Sequence, residues 1–319
     1  PEIMKENDLD HVFLISDHGL EALGVVKKIQ DIVEEAGLQC TTYLDIQANP
    51  TSAIVADATD KYRECGASSI IALGGGVVGD LAGFTAATYQ RGIPYIQVPT
   101  TLLSMVDSSV GGKTAIDLEH GKNLAGAFYQ PKAVLCDLNT WATLPADILS
   151  DGCAEVIKYG MIGDADLLDT LAKGDFREDP EKVVARCIAH KRDLVEQDEF
   201  DTGSRQLLNL GHTIGHAAEK LGNYTDLTHG QAVAIGMVAA MRLSALLGNE
   251  DLTAPLIDLL KHIGLPTELN YDRESIFNAL LSDKKKFGAT VNFILVREAG
   301  RAEITPIDAE KLHEYVLKL

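Results

Sequence analysis

Three histidines have a spacing that suits metal binding. His212 and His216 lie four residues apart in a segment with helical periodicity, so their side chains share one face about one turn apart. His229 follows 17 residues after His212, at the predicted start of the next helix. Imidazoles at the ends of adjacent helices can converge on one ion. The spacing leaves open whether His216 is a metal ligand or a substrate contact.

Glu155 is the candidate acidic ligand. It lies at a predicted, otherwise apolar helix start, three residues before Lys158, so the two could also form only an exposed ion pair. Two imidazoles and one carboxylate around an open coordination position are typical of catalytic zinc, and the same ligands suit cobalt. The pattern therefore predicts a divalent metal whose shell substrate oxygens complete.

A glycine-rich turn indicates a nucleotide site. Gly74, Gly76 and Gly79 fit G-x-G-x-x-G between an apolar strand pattern at 69–73 and a helix-compatible stretch. Glycines there permit positive φ and let backbone N–H groups approach a pyrophosphate at a helix N-terminus. No acidic residue follows at the distance where one usually holds the ribose, because that neighbourhood is 97–99, Gln-Val-Pro. The alternative is a tight turn needed only for packing.

The connection 98–131 offers cations. It contains Asp107, Lys113, Lys122 and Asn123 among small and hydroxyl residues, with few residues suited to a core. The chain has 28 basic and 47 acidic residues, a net charge of −19, so an anionic ligand requires cations gathered locally. A phosphate or carboxylate site is predicted here, and a solvated loop is the alternative.

Composition excludes several function classes. With 46% hydrophobic residues, a mean hydropathy of +0.03 and no apolar run near the ~20 residues of a bilayer-spanning helix, we expect no membrane protein. The absence of a dense Lys/Arg cluster argues against nucleic acid. Five cysteines without a C-x-x-C pair are expected to be reduced, and the first 20 residues lack a signal-peptide pattern, which predicts a cytoplasmic location.

Two domains must position these residues. Up to residue 144, short apolar runs at 11–16, 40–46, 68–76, 94–99 and 132–138 alternate with helical segments, one of them expected to be continuous over 19–37. This alternation predicts an α/β domain, 1–144, with a parallel sheet flanked by helices. From 145 to 319 the pattern changes to period 3.6, ending in a predicted hairpin at 290–307 and a terminal helix. The second domain is predicted to be helical.

Seven motifs, in order along the chain, resemble those of the sugar phosphate cyclases and of the 3-dehydroquinate synthase family in particular. They are GGGVVGDLAGFTAATYQRG, VPTTLLSMVDSSVGGKTAID, GKNLAGAFYQP, CAEVIKYG, RQLLNLGHTIGHA, LTHGQAV and SDKKK. The resemblance implies a nucleotide-binding α/β domain at 1–144 and a helical metal- and substrate-binding domain at 145–319. It also implies NAD, one divalent metal (Zn or Co) and a homodimer.

The resemblance also implies residue roles. The metal ligands are Glu155, His212 and His229, with His216 turned towards substrate. The cofactor contacts are Gly74, Gly75, Gly76, Val77, Val78, Gly79, Asp80, Thr100, Thr101, Lys113, Lys122, Thr140, Trp141, Ala142 and Thr143. The substrate contacts are Asp107, Lys113, Asn123, Lys158, Arg205, Asn209, His216 and a lysine of Lys284 and Lys285, with Arg91 reaching the substrate phosphate of a neighbouring subunit.

The chemistry implied by the resemblance is that of a lyase in the shikimate route to the aromatic amino acids. In this family 3-deoxy-D-arabino-heptulosonate 7-phosphate is transiently oxidised by NAD, loses phosphate, is reduced again and closes by an intramolecular aldol. One alternative is a sister cyclase acting on another sugar phosphate, which Arg205 and Asn209 disfavour because they match the pattern for a carboxylate-bearing substrate. Another is a metal-dependent NAD polyol dehydrogenase, which the lysine-rich connection disfavours.

Two segments depart from the family pattern. Residues 44–51, Leu-Asp-Ile-Gln-Ala-Asn-Pro-Thr, replace an acidic-glycine motif that grips the adenosine end of NAD, and their Asn-Pro-Thr is similar to the iron-containing alcohol dehydrogenases. Cys153 stands two residues before Glu155, where Met or Leu is more common. A packed, neutral thiol is expected there rather than a metal ligand.

Overall fold

The computed structural model describes residues 1–47, 49–119, 121–174, 178–284 and 290–319, with the backbone alone at 282–284. The chain divides into two compact units, Pro1–Leu144 and Pro145–Leu319. None of the described helices is long and apolar enough to cross a membrane. All five cysteines are free thiols, as predicted.

The first unit is built on a parallel sheet. Five strands pair in the order β2-β1-β3-β4-β7, each parallel to its neighbour, which confirms the predicted α/β architecture. They are β1 His11–Ile15, β2 Gln39–Tyr43, β3 Ser69–Gly74, β4 Tyr95–Pro99 and β7 Ala133–Val134. A separate antiparallel hairpin comprises β5 Lys113–Leu118 and β6 Gly121–Phe128. The helices are α1 Glu2–Glu6, α2 His18–Ala22, α3 Val25–Glu35, α4 Ser52–Cys65 and α5 Gly76–Thr88.

Alternate residues of β1 supply two hydrophobic clusters in this unit. Phe13 and Ile15 belong to one cluster, whereas Val12 and Leu14 belong to the other. Successive strand residues point to opposite faces, so a continuous apolar run fits a strand that helices cover on both sides. This explains why β1, β3 and β4 are buried along their whole length.

Two details of the first unit differ from expectation. The single helix expected over 19–37 is two helices, because Gly24 adopts a left-handed conformation (φ +75°) between α2 and α3. The connection 98–131 contains the β5–β6 hairpin, which was not predicted. Its buried residues, such as Thr114 and Ile116, alternate with half-buried ones over too short a run to stand out in a Gly- and Ser-rich segment.

The second unit is mainly helical, as predicted. Its helices are α6 Ala146–Ile162, α7 Ala165–Ala172, α8 Pro180–Gln197, α9 His212–Leu221, α10 His229–Leu246, α11 Thr253–Ile263, α12 Arg273–Lys284 and α13 Ala309–Val316. The predicted C-terminal hairpin is confirmed as β8 Thr290–Glu298 paired with β9 Arg301–Asp308, and α13 is the expected terminal helix.

Helices α9 and α10 cross with their backbones in contact. A Cβ added to Gly236 would lie 1.8 Å from the carbonyl oxygen of Gly211, and one added to Gly215 would lie 2.8 Å from that of Ala232. Only glycine fits at these points, since real Cβ atoms do not approach so closely. The close crossing brings the first turn of α9 next to the first turn of α10.

Candidate functional site

Three helices of the second unit present the candidate metal ligands. His212 is the first residue of α9 and follows Gly211, which is left-handed (φ +81°). His229 is the first residue of α10, whose N-terminus has a reciprocal capping box between Thr228 and Gln231. Glu155 lies in the middle of α6 and is fully buried. The expected helix start at this position was wrong, because α6 begins at Ala146, about two turns earlier, and the alternative of an exposed ion pair with Lys158 was wrong because both side chains are buried.

The donor atoms of Glu155, His212 and His229 converge. Oε1 of Glu155 lies 3.0 Å from Nε2 of His229 and 3.4 Å from Nε2 of His212, and one ligand atom from each residue lies within 4.8 Å of the others. Nδ1 of His212 is 3.1 Å from the carbonyl oxygen of Leu210, which as acceptor would keep the proton on Nδ1 and leave Nε2 able to bind a metal. This set of two imidazoles and one carboxylate therefore fits a divalent ion.

Lys158 is the fourth group around the carboxylate. Its ammonium forms an ion pair with Oε2 of Glu155, and both side chains are only 1% exposed. Burial by itself raises the pKa of Glu155, but Lys158 and the hydrogen bonds of the two histidines outweigh it and hold that pKa well below its usual range. The carboxylate is therefore charged and available as a ligand.

His229 faces two carboxylates. Nε2 points to Glu155, and Nδ1 lies 3.8 Å from Oε1 of Glu219. Burial lowers the pKa of His229, but the hydrogen bonds and negative charges of Glu155 and Glu219 raise it to about 10. A cation bound at Nε2 must displace this proton.

Glu219 was not identified in the sequence. It lies on α9, three residues after His216 and seven after His212, so helical spacing alone could have placed it on the same face. Nε2 of the exposed His216 is 4.0 Å from Oε2 of Glu219, and the ring centroids of His216 and His212 are 5.3 Å apart. His216, Glu219 and His229 form a second group whose possible ligand atoms lie within 4.8 Å of one another.

Arg205 and Asn209 lie in a 3-10 segment, Ser204–Asn209, of the second unit. Asp198 supports this segment, because its carboxylate accepts hydrogen bonds from the backbone N–H groups of Thr202, Gly203 and Arg205 at 3.0, 2.6 and 3.1 Å. These bonds lower the pKa of Asp198. The Arg205 side chain is buried and its Nη1 donates to the carbonyl of Glu199, whereas Asn209 is half-buried.

In the first unit the glycine turn joins β3 to α5, but not for the expected conformational reason. Gly74, Gly75, Gly76 and Gly79 all lack positive φ. Close packing requires Gly74, because a Cβ there would lie 2.4 Å from the side chain of Val78. A Cβ on Gly79 would lie 2.9 Å from the amide oxygen of Gln97, whose side chain would have to shift.

Gly75 and Gly76 have more room. A Cβ on either would lie 3.4 Å from its nearest neighbour, Thr101 for Gly75 and Ser108 for Gly76. Among the described residues, no side chain caps the N-terminus of α5, whose first backbone N–H groups have no acceptor within the helix. This helix start, with a glycine surface, suits a pyrophosphate.

Several predicted cofactor residues surround this turn. The backbone N–H of Thr100 donates to the carbonyl of Gly74 at 3.0 Å, and Thr101 exchanges hydrogen bonds with Ser104 in the turn that follows. Asp80, about one turn into α5, accepts a hydrogen bond from the backbone N–H of Ala115 at 3.3 Å and so links α5 to β5. Its carboxylate serves the fold of this unit in addition to any ligand role.

The remaining predicted residues of the first unit lie on three short elements. Asp107 is in a π-helical turn, Ser104–Ser108; Lys113 is exposed at the start of β5; Lys122 and Asn123 are in β6. Asn123 is left-handed (φ +54°), and its backbone N–H donates to Asp117 at 2.9 Å. Lys113 pairs with Phe128 at the open end of the hairpin, whereas Lys122 and Asn123 lie beside its turn, so the hairpin does not group the two lysines.

Residues 140–143 and Arg91 occupy tight turns. The 3-10 segment Leu138–Thr143 contains Thr140, Trp141, Ala142 and Thr143; the hydroxyls of both threonines donate to backbone carbonyls, and the Trp141 indole donates to the sulfur of Met105 at 3.1 Å. Arg91 is exposed, with φ +67°. Lys285 and the side chain of Lys284 lie outside the described residues. Cys153 is buried in α6 and is not part of the metal-ligand group formed by the described residues.

Comparison with known proteins gives two family matches. A family model described as 3-dehydroquinate synthase N-terminal matches residues 47–151, and one described as 3-dehydroquinate synthase C-terminal matches residues 152–286. A 3-dehydroquinate synthase of Pelobacter propionicus is 49% identical over 254 residues, covering 77% of this chain and 71% of that protein. One from Neisseria meningitidis is 50% identical over 249 residues, covering 75% and 69%.

Solved structures show the same fold. A 2-deoxy-scyllo-inosose synthase complexed with carbaglucose-6-phosphate, NAD⁺ and Co²⁺ has a TM-score of 0.79 and 26% identity, covering 98% of this chain and 91% of that one. A 2-epi-5-epi-valiolone synthase from Streptomyces hygroscopicus with NAD⁺ and Zn²⁺ bound has a TM-score of 0.84, 24% identity and the same coverage. A 1,3-propanediol oxidoreductase has a TM-score of 0.71 but only 16% identity, covering 99% and 94%, and shows likeness of fold alone.

Proposed function

This chain belongs to the 3-dehydroquinate synthase family, and we propose that it converts 3-deoxy-D-arabino-heptulosonate 7-phosphate to 3-dehydroquinate and phosphate, using NAD and one divalent ion, Zn²⁺ or Co²⁺. The observation that carries the proposal is the convergence of one carboxylate and two imidazoles, supported by a buried lysine, in the second unit. The much higher identity to 3-dehydroquinate synthases (49–50%) than to the inosose and valiolone synthases (24–26%) supports this substrate.

Glu155, His212 and His229 are the proposed metal ligands. When bound, the metal polarises vicinal substrate oxygens and NAD accepts and later returns a hydride. Glu155 stays ionised because Lys158 and the histidines surround it, so the ligand set requires no proton loss at the carboxylate. His216, on the exposed side of the same cluster, is the proposed substrate contact rather than a ligand.

The anionic groups of the substrate need cations. We propose Lys158, Arg205, Asn209 and a lysine of 284–285 as contacts in the second unit, and Asp107, Lys113 and Asn123 as contacts in the first. Arg205 is held by its backbone bond to Asp198, which supports a role in orienting the substrate carboxylate. Arg91 is the proposed contact to the substrate phosphate of a neighbouring subunit in a homodimer.

For NAD, the uncapped start of α5 supports pyrophosphate binding by the backbone of residues 74–80. Thr100, Thr101, Lys113, Lys122 and residues 140–143 complete the proposed cofactor contacts. The first unit, 1–144, is thus proposed as the NAD-binding domain and 145–319 as the metal- and substrate-binding domain, in a cytoplasmic enzyme that needs neither nucleic acid nor membrane.

One assay tests the reaction. The purified protein is incubated with NAD⁺, Zn²⁺ or Co²⁺ and the heptulosonate phosphate, and inorganic phosphate and the carbocyclic product are measured. We expect phosphate release without net NADH. Phosphate release only from a heptulose 7-phosphate that lacks the carboxylate would assign a sister cyclase, and steady NADH accumulation would assign a dehydrogenase.

A further inference from the structure

We propose that Asp151 is a positioning residue that holds His229 in place as a metal ligand by capping the first turn of α10 from the neighbouring helix α6. The inference rests on the proposed metal site. Asp151 matched no catalytic motif in the sequence, and its role depends on contacts 77 and 80 residues away along the chain.

The first observation is that two residues of α6, Asp151 and Glu155, both contact the first turn of α10. Asp151 and Glu155 are four residues apart in α6, so their side chains lie on one face about one turn apart. Glu155 meets the imidazole of His229, while Oδ1 of Asp151 accepts hydrogen bonds from the hydroxyl of Thr228 and from the backbone N–H of Gln231 at 3.2 Å. The residues held by Asp151 thus flank His229 on both sides.

The second observation is the glycine that follows His229. A Cβ on Gly230 would lie 2.1 Å from the backbone oxygen of Asp151 and 2.6 Å from its Oδ1. The start of α10 therefore rests directly on the Asp151 turn of α6, and no larger residue fits between them. The distance from the α6 backbone to the His229 backbone is set by this contact.

The third observation separates this contact from ordinary helix capping. Thr228 and Gln231 already cap α10 by themselves, since the Thr228 N–H donates to the Gln231 side chain at 3.1 Å and the Gln231 N–H donates to the Thr228 hydroxyl at 3.4 Å. The helix can begin without Asp151. The hydrogen bonds to Asp151 connect that cap to α6, the helix that carries Glu155. Removing the Asp151 carboxylate should therefore affect the geometry of the metal ligands more than the formation of α10.

The test uses the full chain, stripped of metal by a chelator and titrated with Co²⁺, whose visible absorption reports ligand geometry. Asp151→Ala is expected to weaken Co²⁺ affinity by about 10- to 100-fold, the range for residues that orient metal ligands, and to change the absorption band. Asp151→Asn retains an acceptor oxygen and should stay within about threefold of wild type. Thr228→Val removes the hydroxyl that donates to Asp151, so it should also weaken Co²⁺ binding. It replaces Asp151→Ala in the test if that variant does not fold.

The matched control is Asp179→Ala. Asp179 caps α8 in the same unit by accepting the N–H of Lys182 at 3.3 Å, so this variant removes a comparable cap without touching α6 or α10. It should lower the melting temperature but leave Co²⁺ affinity and the absorption band unchanged. Wild-type affinity and spectrum in both Asp151→Ala and Thr228→Val would overturn the positioning role alone. A wild-type chain that binds no Co²⁺ would overturn the proposed metal site, and the inference with it.

Discussion

Replacing Lys158 by methionine should destabilise the metal-free protein, because it removes the positive charge beside the carboxylate of Glu155. Both side chains of this ion pair are 1% exposed, so removing the ammonium leaves a buried carboxylate without its main countercharge. Breaking a buried pair in this way costs about 3–5 kcal/mol. The imidazoles of His212 and His229, at 3.4 and 3.0 Å, remain and partly compensate, so we expect a loss near the lower end, about 3 kcal/mol.

This loss corresponds to a melting temperature lower by about 6–12 °C in metal-free protein, at about 2–4 °C per kcal/mol for a unit of this size. Metal supplies the missing positive charge. At 100 times its dissociation constant a bound ligand stabilises a protein by about 2.7 kcal/mol, and the gain in Lys158→Met should exceed that of wild type at the same Zn²⁺ concentration, because the ammonium no longer repels the ion.

The assay is thermal unfolding of wild type and variant with chelator and with saturating Zn²⁺. Lys191→Met is the control, because it removes another buried lysine from the same unit and should gain no more from Zn²⁺ than wild type does. Equal stability of wild type and Lys158→Met without metal, or an equal gain from Zn²⁺, would refute the argument that Lys158 neutralises the ligand carboxylate.

Three further predictions concern the metal ligands, the start of α5 and the carboxylate of Asp198. His212→Ala should lose bound metal by elemental analysis while His216→Ala retains it, and equal loss in both would contradict the assigned ligands. Gly76→Ala should raise the dissociation constant for NAD⁺, measured by calorimetry, at least about tenfold, because the added Cβ covers the backbone at the start of α5. The melting temperature should change little, because that Cβ would lie 3.4 Å from Ser108, an ordinary contact distance. The pKa of Asp198 lies below its ordinary value of 3.8, so the carboxylate stabilises the fold above that pH and this stabilisation is lost as pH falls through the lowered pKa. Asp198→Asn should therefore flatten the decline of melting temperature below about pH 4. An unchanged acid decline would argue against this role of Asp198.

Local sequence patterns were sufficient for the elements. The continuous apolar run of β1, the strand–glycine–helix order at β3 and α5, and the C-terminal hairpin all depend on residues close in the chain, whose pattern reports which faces are buried. The same holds for His212 and His216, because four-residue spacing fixes a shared helix face. The hairpin β5–β6 escaped prediction because its apolar alternation is short and interrupted by small polar residues.

The sequence by itself therefore determined the family, the α/β and helical architecture and the candidate ligands, since motifs and periodicity are local properties. Tertiary structure alone decided that Glu155 is buried in mid-helix, that Glu219 joins the histidines and that Asp151 ties α6 to α10. Glu155 and His229 are 74 residues apart, and their 3.0 Å approach depends on α6 and α10 packing closely enough to require glycine at Gly230. Such contacts depend on how whole helices pack, which no short stretch of sequence records.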